Sequence, residues 1–224
     1  MGKRMAALWK LRECPNKWKD IAWRIQYNGV RAAGGHDIPQ ACSCGWAEGQ
    51  GIGRGSGEDK RIKALACKAH VFGGCPVAQA VIHVLRAGLP SCLAPLLQPS
   101  DVWLLRLPPS TIEHSMHEGV WSLVCSLALH AINSGHSSLY VLSHQSPPLS
   151  RSDAVSRASN KAVGWFSYLL ADVAAAGFLP KEWKDLSTSH PFLHSMPSPD
   201  GVIFPARRLA ARLPAALAVL PSEL

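Results

Sequence analysis

The sequence predicts a mainly α-helical protein with a small Cys/His zinc knuckle, flanking helices, one or two short strands and a proline-rich tail. Apolar residues recur at helical spacing in several stretches. Cysteines and one histidine cluster between residues 42 and 75, and proline recurs at six positions after residue 190. We expect three parts: a basic helix and knuckle with a glycine-rich insert at 45–57 (1–88), a helical domain (100–180) and a poorly ordered tail (181–224).

The first predicted helix begins after Pro15 and ends at Asn28-Gly29, because proline favours a first helical turn and glycine favours a C-terminus. It presents an apolar face made of Trp18, Ile21, Ala22 and Ile25, and its lysines and arginine fall largely elsewhere. Pro76 opens a second helix, which Gly88 ends. The N-terminal part therefore combines an amphipathic basic helix with the cysteine-rich stretch.

Two longer helices are predicted in the middle of the chain. A capping box at Ser115-Met116-His117-Glu118 starts a helix that runs to about Asn133, where Gly135 closes it. Asp153 caps another that runs to about Ala176. Short apolar runs at 102–105 and 139–142 are predicted to be strands.

The Cys42-x-Cys44 pair and the His70-x4-Cys75 pair predict a metal site. Three thiolates and one imidazole can fill a tetrahedral zinc site completely, which is typical of structural zinc. The two pairs stand 25 residues apart, and Cys67 is a reserve ligand three residues before His70. The alternative is a set of ordinary buried thiols with a surface histidine, because free cysteine is commonly buried.

The basic charge of the chain lies with this stretch. Residues 1–75 hold 13 Lys and Arg against 6 Asp and Glu, whereas residues 76–224 hold 10 against 9. A one-sided basic segment favours contact with phosphates, and the alternative is a solvated surface.

The sequence favours a nuclear or cytoplasmic protein that is not secreted. Seven cysteines form no paired pattern, and the first residues lack the apolar run of a signal peptide. We therefore expect reduced cysteines and no membrane partner, since no stretch approaches the ~20 apolar residues of a span.

A series of motifs spans roughly residues 8–85: Trp9, Cys14-Pro15-x-Lys17-x-Lys19, Trp23-Arg24-x3-Asn28, Cys42-x-Cys44-Gly45 and His70-x-Phe72-x2-Cys75-Pro76-x-Ala78. With these motifs, the first third of the chain resembles the zinc-binding region that follows the reverse transcriptase domain in LINE-type (non-LTR) retroelements. Three departures are a C-x-C pair in place of C-x2-C, an expanded middle loop, and Gly73-Gly74 where bulkier residues are common. The region after residue 100 more loosely resembles the helical tails of such proteins.

The resemblance implies a non-catalytic module that holds nucleic acid, with Zn²⁺ bound by Cys42, Cys44, His70 and Cys75. Single-stranded RNA is expected to bind better than duplex DNA, because such modules stack unpaired bases on aromatic side chains. Trp18, Trp46 and Phe72 are candidates for stacking, although Phe72 and Trp23 are better explained as core residues. The predicted phosphate contacts are Lys10, Lys17, Lys19, Arg24, Arg31, Lys60, Arg61 and Lys63.

The two alternatives to a nucleic-acid-binding module are a scaffold and an enzyme. A metal-free interaction or scaffold module, or a decayed element fragment, fits the low charged fraction of 17% and the many proline breaks. An enzyme is disfavoured, because the chain has no Asp-Asp pair for polymerase metals and its histidines lack an H-E-x-x-H context. Pro199-Asp200 lacks the acid and lysine of a nuclease, and the glycine-rich insert lacks the G-K-[ST] ending of a phosphate loop.

Overall fold

The structure is a computed structural model. It describes residues 6, 8–10, 16–26, 42–46, 65–87, 94–106, 118–147 and 149–175. The predicted insert, the tail and the boundaries near residues 88 and 181 lie outside these ranges. Within them the protein is mainly α-helical, as predicted, and no residue is in a strand. The helices are α1 (Asn16–Gln26), α2 (Leu65–Gly74), α3 (Pro76–Ala87), α4 (Pro99–Trp103), α5 (Glu118–His144) and α6 (Arg151–Ala175).

The centre of the fold is the pair formed by α5 and α6, and α3 packs against both. Large side chains such as Trp121, Leu123 and Phe166 are buried there. Helix α1 packs against α5 through its predicted apolar face, in which Ile21, Ala22 and Ile25 are buried. The knuckle residue Cys42 belongs to the same hydrophobic cluster as this helical centre.

Helix α5 is one continuous helix, so two predictions about it were wrong. Gly135 does not end it, and residues 139–142 are its last turns, not a strand. A Cβ at Gly135 would lie 2.6 Å from both Ala162 Cβ and Val77 Cγ1. The glycine is therefore needed where α5, α6 and α3 approach one another closely, and its role is packing and not termination.

The other predicted strand, residues 102–105, was also wrong. Residues up to Trp103 belong to α4, and Leu105 turns the chain with a φ of 53°. Asp101 caps this short helix by accepting a hydrogen bond from the Gln98 N–H at 2.9 Å. A short apolar run fits a buried helix and a strand equally well. Here the capping pair Gln98–Asp101 favours a helix.

Two hydrogen bonds anchor the segment around α4 to the helices beside it, and one ion pair lies within the segment. Arg86 donates to the Leu97 carbonyl at 2.8 Å, and the Trp121 indole donates to the Arg106 carbonyl at 2.7 Å. Asp101 is 3.3 Å from Arg106. This anchoring matters for the site, because α4 packs directly on the last turn of α2.

Within the described ranges, no single helix combines the length and hydropathy needed to cross a membrane. The bent pair Leu65–Gly74 and Pro76–Arg86, with an angle of 52° between its halves, meets those two criteria when taken together.

Candidate metal centre

The first half of the candidate site is a tight turn at residues 42–46. The Gly45 N–H donates to the Cys42 carbonyl at 2.8 Å, and the Cys42 N–H donates to the Trp46 carbonyl at 3.0 Å. Gly45 adopts a φ of +99°, which side chains rarely allow. A Cβ there would also lie 2.7 Å from Arg151 Nη1. The turn gives the C-x-C pair its compact shape and depends on this glycine.

The second half is the end of α2, where the helix widens into a π turn over His70–Gly74. The Cys75 N–H donates to the His70 carbonyl at 2.6 Å, so the turn holds the two ligands together. The Gln79 side chain donates to the Gly73 carbonyl and anchors the turn to α3. Phe72 is fully buried within it. Single-turn π segments are frequent at functional sites, which fits this position.

The four predicted ligands converge, although 25 residues separate their two pairs. The sulfur atoms of Cys42, Cys44 and Cys75 and a ring nitrogen of His70 all lie within 4.8 Å of one another. Cys44 Sγ is 3.3 Å from His70 Nε2. Zn–S and Zn–N bond lengths place tetrahedral ligands about 3.5–3.8 Å apart, so these four atoms are close enough to hold a metal ion.

Cys67, a fourth thiol near the site, takes no part in this cluster. Cys67 is buried in α2, and it is not among the four donor atoms that lie together. Burial raises the pKa of its thiol, which disfavours the thiolate that a metal requires. The structure therefore favours Cys44 over the reserve ligand.

The three clustered sulfurs share their negative charge unequally. Hydrogen bonds from Cys42 and Cys75 hold the pKa of the Cys44 thiol far below its usual range, and His70 contributes as well. A hydrogen bond with Cys44 raises the pKa of the Cys42 thiol to about 11. Hydrogen bonds with Cys42 and Cys44 raise the pKa of the Cys75 thiol well above its usual range. These hydrogen bonds thus favour ionisation at Cys44 and disfavour it at Cys42 and Cys75. A divalent cation would remove this conflict, because all three sulfurs could then ionise.

Trp46 packs on the imidazole of His70. The ring centroids are 4.4 Å apart and the planes differ by 8°. Metal-bound histidines depend on neighbours that fix the ring orientation. One face of Trp46, a candidate for base stacking, is therefore occupied by a candidate ligand. Phe72 is a core residue, as expected, and the Trp18 side chain lies outside the described residues.

Sequence reasoning missed His136, a histidine of α5 near this site. Burial lowers its pKa to about 4, with a further contribution from His70. Its Nε2 atom is buried and has no hydrogen-bond partner within the described part of the chain. The three histidines of α5 are six and eight residues apart, a spacing that matches no metal-binding motif.

The predicted phosphate contacts fall into different environments. Lys10 and Lys17 are exposed, and Arg24 is exposed with Asp20 at 3.6 Å. Lys19 is only 2% exposed, and its ammonium lies 5.2 Å from the centre of the Trp9 ring. Four more predicted contacts lie outside the described residues: Arg31, Lys60, Arg61 and Lys63.

Two exposed tryptophans accompany these cations. Trp23 is 44% exposed, against its expected place in the core, and Trp9 is 40% exposed. The charged residues of α1 therefore share their surface with aromatic rings, a combination that suits nucleic acid.

Four protein ligands in a tetrahedron leave no open position for substrate, so the arrangement suits a structural and not a catalytic metal. The ligands come from the turn at 42–46 and from the junction of α2 and α3, which a bound ion would join. No family model, curated protein or solved structure matches the chain.

Proposed function

We propose that this protein is a non-catalytic nucleic-acid-binding module organised by one structural zinc ion. The convergence of Cys42, Cys44, His70 and Cys75 carries the proposal, because their donor atoms lie within 4.8 Å of one another and four such ligands can fill a tetrahedral zinc site. The proposal also draws on the resemblance of residues 8–85 to the zinc-binding region of LINE-type retroelements. The module would hold template RNA or target DNA and perform no chemistry of its own.

Zinc is the preferred ion for chemical reasons. Three thiolates and an imidazole are soft or borderline ligands, whereas Mg²⁺ and Ca²⁺ take oxygen ligands. The partial burial of the cluster and the neighbouring Trp46 ring would shield the ion from exchange with water. Bound zinc would convert the turn and the end of α2 into one rigid unit.

The basic excess of residues 1–75 supports nucleic acid as the partner. Lys10, Lys17 and Arg24 are exposed on the N-terminal helical segments, where phosphates can reach them. Lys19 is excluded from this role by its burial against Trp9. Single-stranded RNA is the favoured ligand, because exposed aromatic rings read unpaired bases better than a duplex.

The test is a titration of the full chain against single-stranded RNA and duplex DNA of equal length at several salt concentrations, after elemental analysis for zinc. With about four to six phosphate contacts, log affinity should fall with log salt at a slope of roughly −3 to −5. Lys17→Ala and Arg24→Ala should each make the slope shallower by about one. Lys19→Met, in the same helix but buried, should leave it unchanged.

Two outcomes would contradict the proposal. Native protein without bound zinc would remove its structural basis. A zinc-loaded chain that binds neither RNA nor DNA at low salt would favour an interaction or scaffold module.

A further inference from the structure

The outer face of α6 carries an uninterrupted line of basic and aromatic side chains. Arg157, Lys161, Trp165 and Tyr168 are all exposed. Their spacing of four, four and three residues places them on one side of the helix. The opposite side, which includes Ala158, Ala162, Phe166 and Leu169, is buried against the body.

The two aromatic residues form a preassembled pair at the surface. Trp165 and Tyr168 are 37% and 56% exposed, and their rings stack with centroids 5.1 Å apart and planes 11° apart. Parallel stacking occupies one face of each ring and leaves the other outside the pair. His130 of α5 lies 6.3 Å from the Trp165 ring and extends the aromatic surface beyond α6.

Gly164 lies within this line, and packing does not explain it. A Cβ at that position would meet nothing within 4 Å, in contrast to the crowded Gly135. A glycine in an exposed helix interior lowers helix stability relative to almost any other residue. The open space that it leaves lies between Lys161 and Tyr168, one helical turn from each, and suits a flat group approaching the aromatic pair.

The charge of this face is positive. Arg157 and Lys161 precede the aromatic pair along the helix, and the described acidic side chain of α6, Asp153, accepts a hydrogen bond from Ser150 Oγ at 2.6 Å in the first turn. His130 also lies within electrostatic reach of Lys17 and Asp20 of α1. His130 of α5, which lies beside the Trp165 ring, thus links this face with the basic helix α1.

We propose that Arg157, Lys161, Gly164, Trp165 and Tyr168 form a platform for single-stranded nucleic acid. Bases stack on the exposed aromatic faces, and neighbouring phosphates pair with the two cations. This inference rests on the proposed function and adds a second binding surface. That surface lies on α6, outside the basic segment of residues 1–75. The ligand is nucleic acid and not an apolar protein surface, because two exposed cations, Arg157 and Lys161, lie on the same side of the helix as the two rings.

The test compares Tyr168→Ala with Tyr140→Ala in the full, zinc-loaded chain. Tyr140 is a matched control: it is 50% exposed, lies on α5 and stacks on His144 with ring centroids 4.3 Å apart. Loss of one stacked base should weaken single-stranded RNA binding by about 10- to 100-fold in Tyr168→Ala. Tyr140→Ala should bind like the parent, and circular dichroism should show both variants folded.

Gly164→Gln separates binding from stability. Glutamine favours helix, so the melting temperature should rise, while its side chain fills the open space and RNA affinity should fall several-fold. A stabilised variant with unchanged affinity would overturn the platform.

The results also separate this inference from the proposed function. If the parent binds RNA and Tyr168→Ala binds equally well, the platform is wrong and the proposed function stands. If the parent binds no nucleic acid, both fail. If Tyr168→Ala changes only self-association, the face is an interface between copies and the platform is overturned.

Discussion

The metal centre and the α5–α6 pair are held together by different physics. The candidate centre brings short pieces together through polar donor atoms: two thiols and an imidazole are buried at Cys42, Cys75 and His70. The helix pair buries apolar side chains along its length, including Trp121 and Phe166. The first region places four donor atoms close enough to hold a cation, whereas the second is stabilised by removing apolar surface from water.

The two regions also use glycine differently. Gly45 supplies a backbone conformation with φ of +99°, which the tight turn needs. Gly135 supplies space, because α3 and α6 leave no room for a side chain there. Local conformation therefore determines the knuckle, and tertiary packing determines the body.

Removal of the metal should produce the largest difference in stability between the two regions. Structural zinc contributes an apparent ~10–16 kcal/mol in small finger peptides, and this free energy is also folding free energy. A chelator should expose the amides of residues 42–46 and 70–75 to hydrogen exchange while α5 and α6 stay protected. Mass spectrometry with and without chelator measures both regions in one sample.

Readdition of zinc is the control, and protection should return at the same residues. Uniform loss of protection along the whole chain would show that the body depends on the metal and that the two regions are not separable.

Cysteine variants should show that zinc affinity depends on the four clustered residues and not on Cys67. Cys44→Ser removes one donor of the cluster and should lower zinc affinity by several orders of magnitude, because serine is a poor zinc ligand. Cys67→Ser is the matched control: it also changes a cysteine in this region, but one outside the cluster, and should keep one zinc per chain. Competition with a chromophoric chelator measures both affinities, and the reverse result would move the site to Cys67.

The sequence predicted the ligands better than the helices around them. Cys42, Cys44, His70 and Cys75 were identifiable because metal coordination needs particular residue types at short spacings. The same sequence gave no sign of the π turn that joins His70 to Cys75, or of the stack of Trp46 on His70. The stack forms only when segments 24 residues apart meet, and the π turn is a local widening of a helix that apolar periodicity does not reveal.

The errors in the helical body have a common cause. Residues 102–105 and 139–142 are short apolar runs, and Gly135 resembles a helix stop, so local patterns favoured strands and an early end to α5. Tertiary packing overrode these patterns, because Gly135 lies where three helices meet. Lys19 is a similar case, since its charge predicted a surface position and the Trp9 ring covers it.

A pair of glycine variants should probe the body alone. Gly135→Ala places a methyl group 2.6 Å from Ala162 Cβ and Val77 Cγ1, so overpacking should cost about 1–3 kcal/mol of unfolding free energy. Gly164→Ala has nothing within 4 Å and should instead stabilise by roughly 0.5–1 kcal/mol. Denaturant unfolding of zinc-loaded protein checks the opposite signs, and equal shifts would mean that α5 does not pack as closely as described.

Trp46 stacks on a candidate metal ligand, and its loss should weaken zinc binding less than the loss of a ligand does. Its ring lies 4.4 Å from that of His70, so it limits the orientations that the imidazole can adopt. Outer contacts of this kind contribute about tenfold or more to metal affinity, and Trp46→Ala should therefore weaken zinc binding by about 1.4 kcal/mol. Trp46→Phe retains a stacking ring and should recover most of this loss, while Trp23→Ala, at an exposed tryptophan of α1, should have no effect. Competition with a chelator measures the zinc affinity of the three variants. Equal affinities would show that the four ligands take up their orientations without the Trp46 stack, so that the metal alone organises the knuckle.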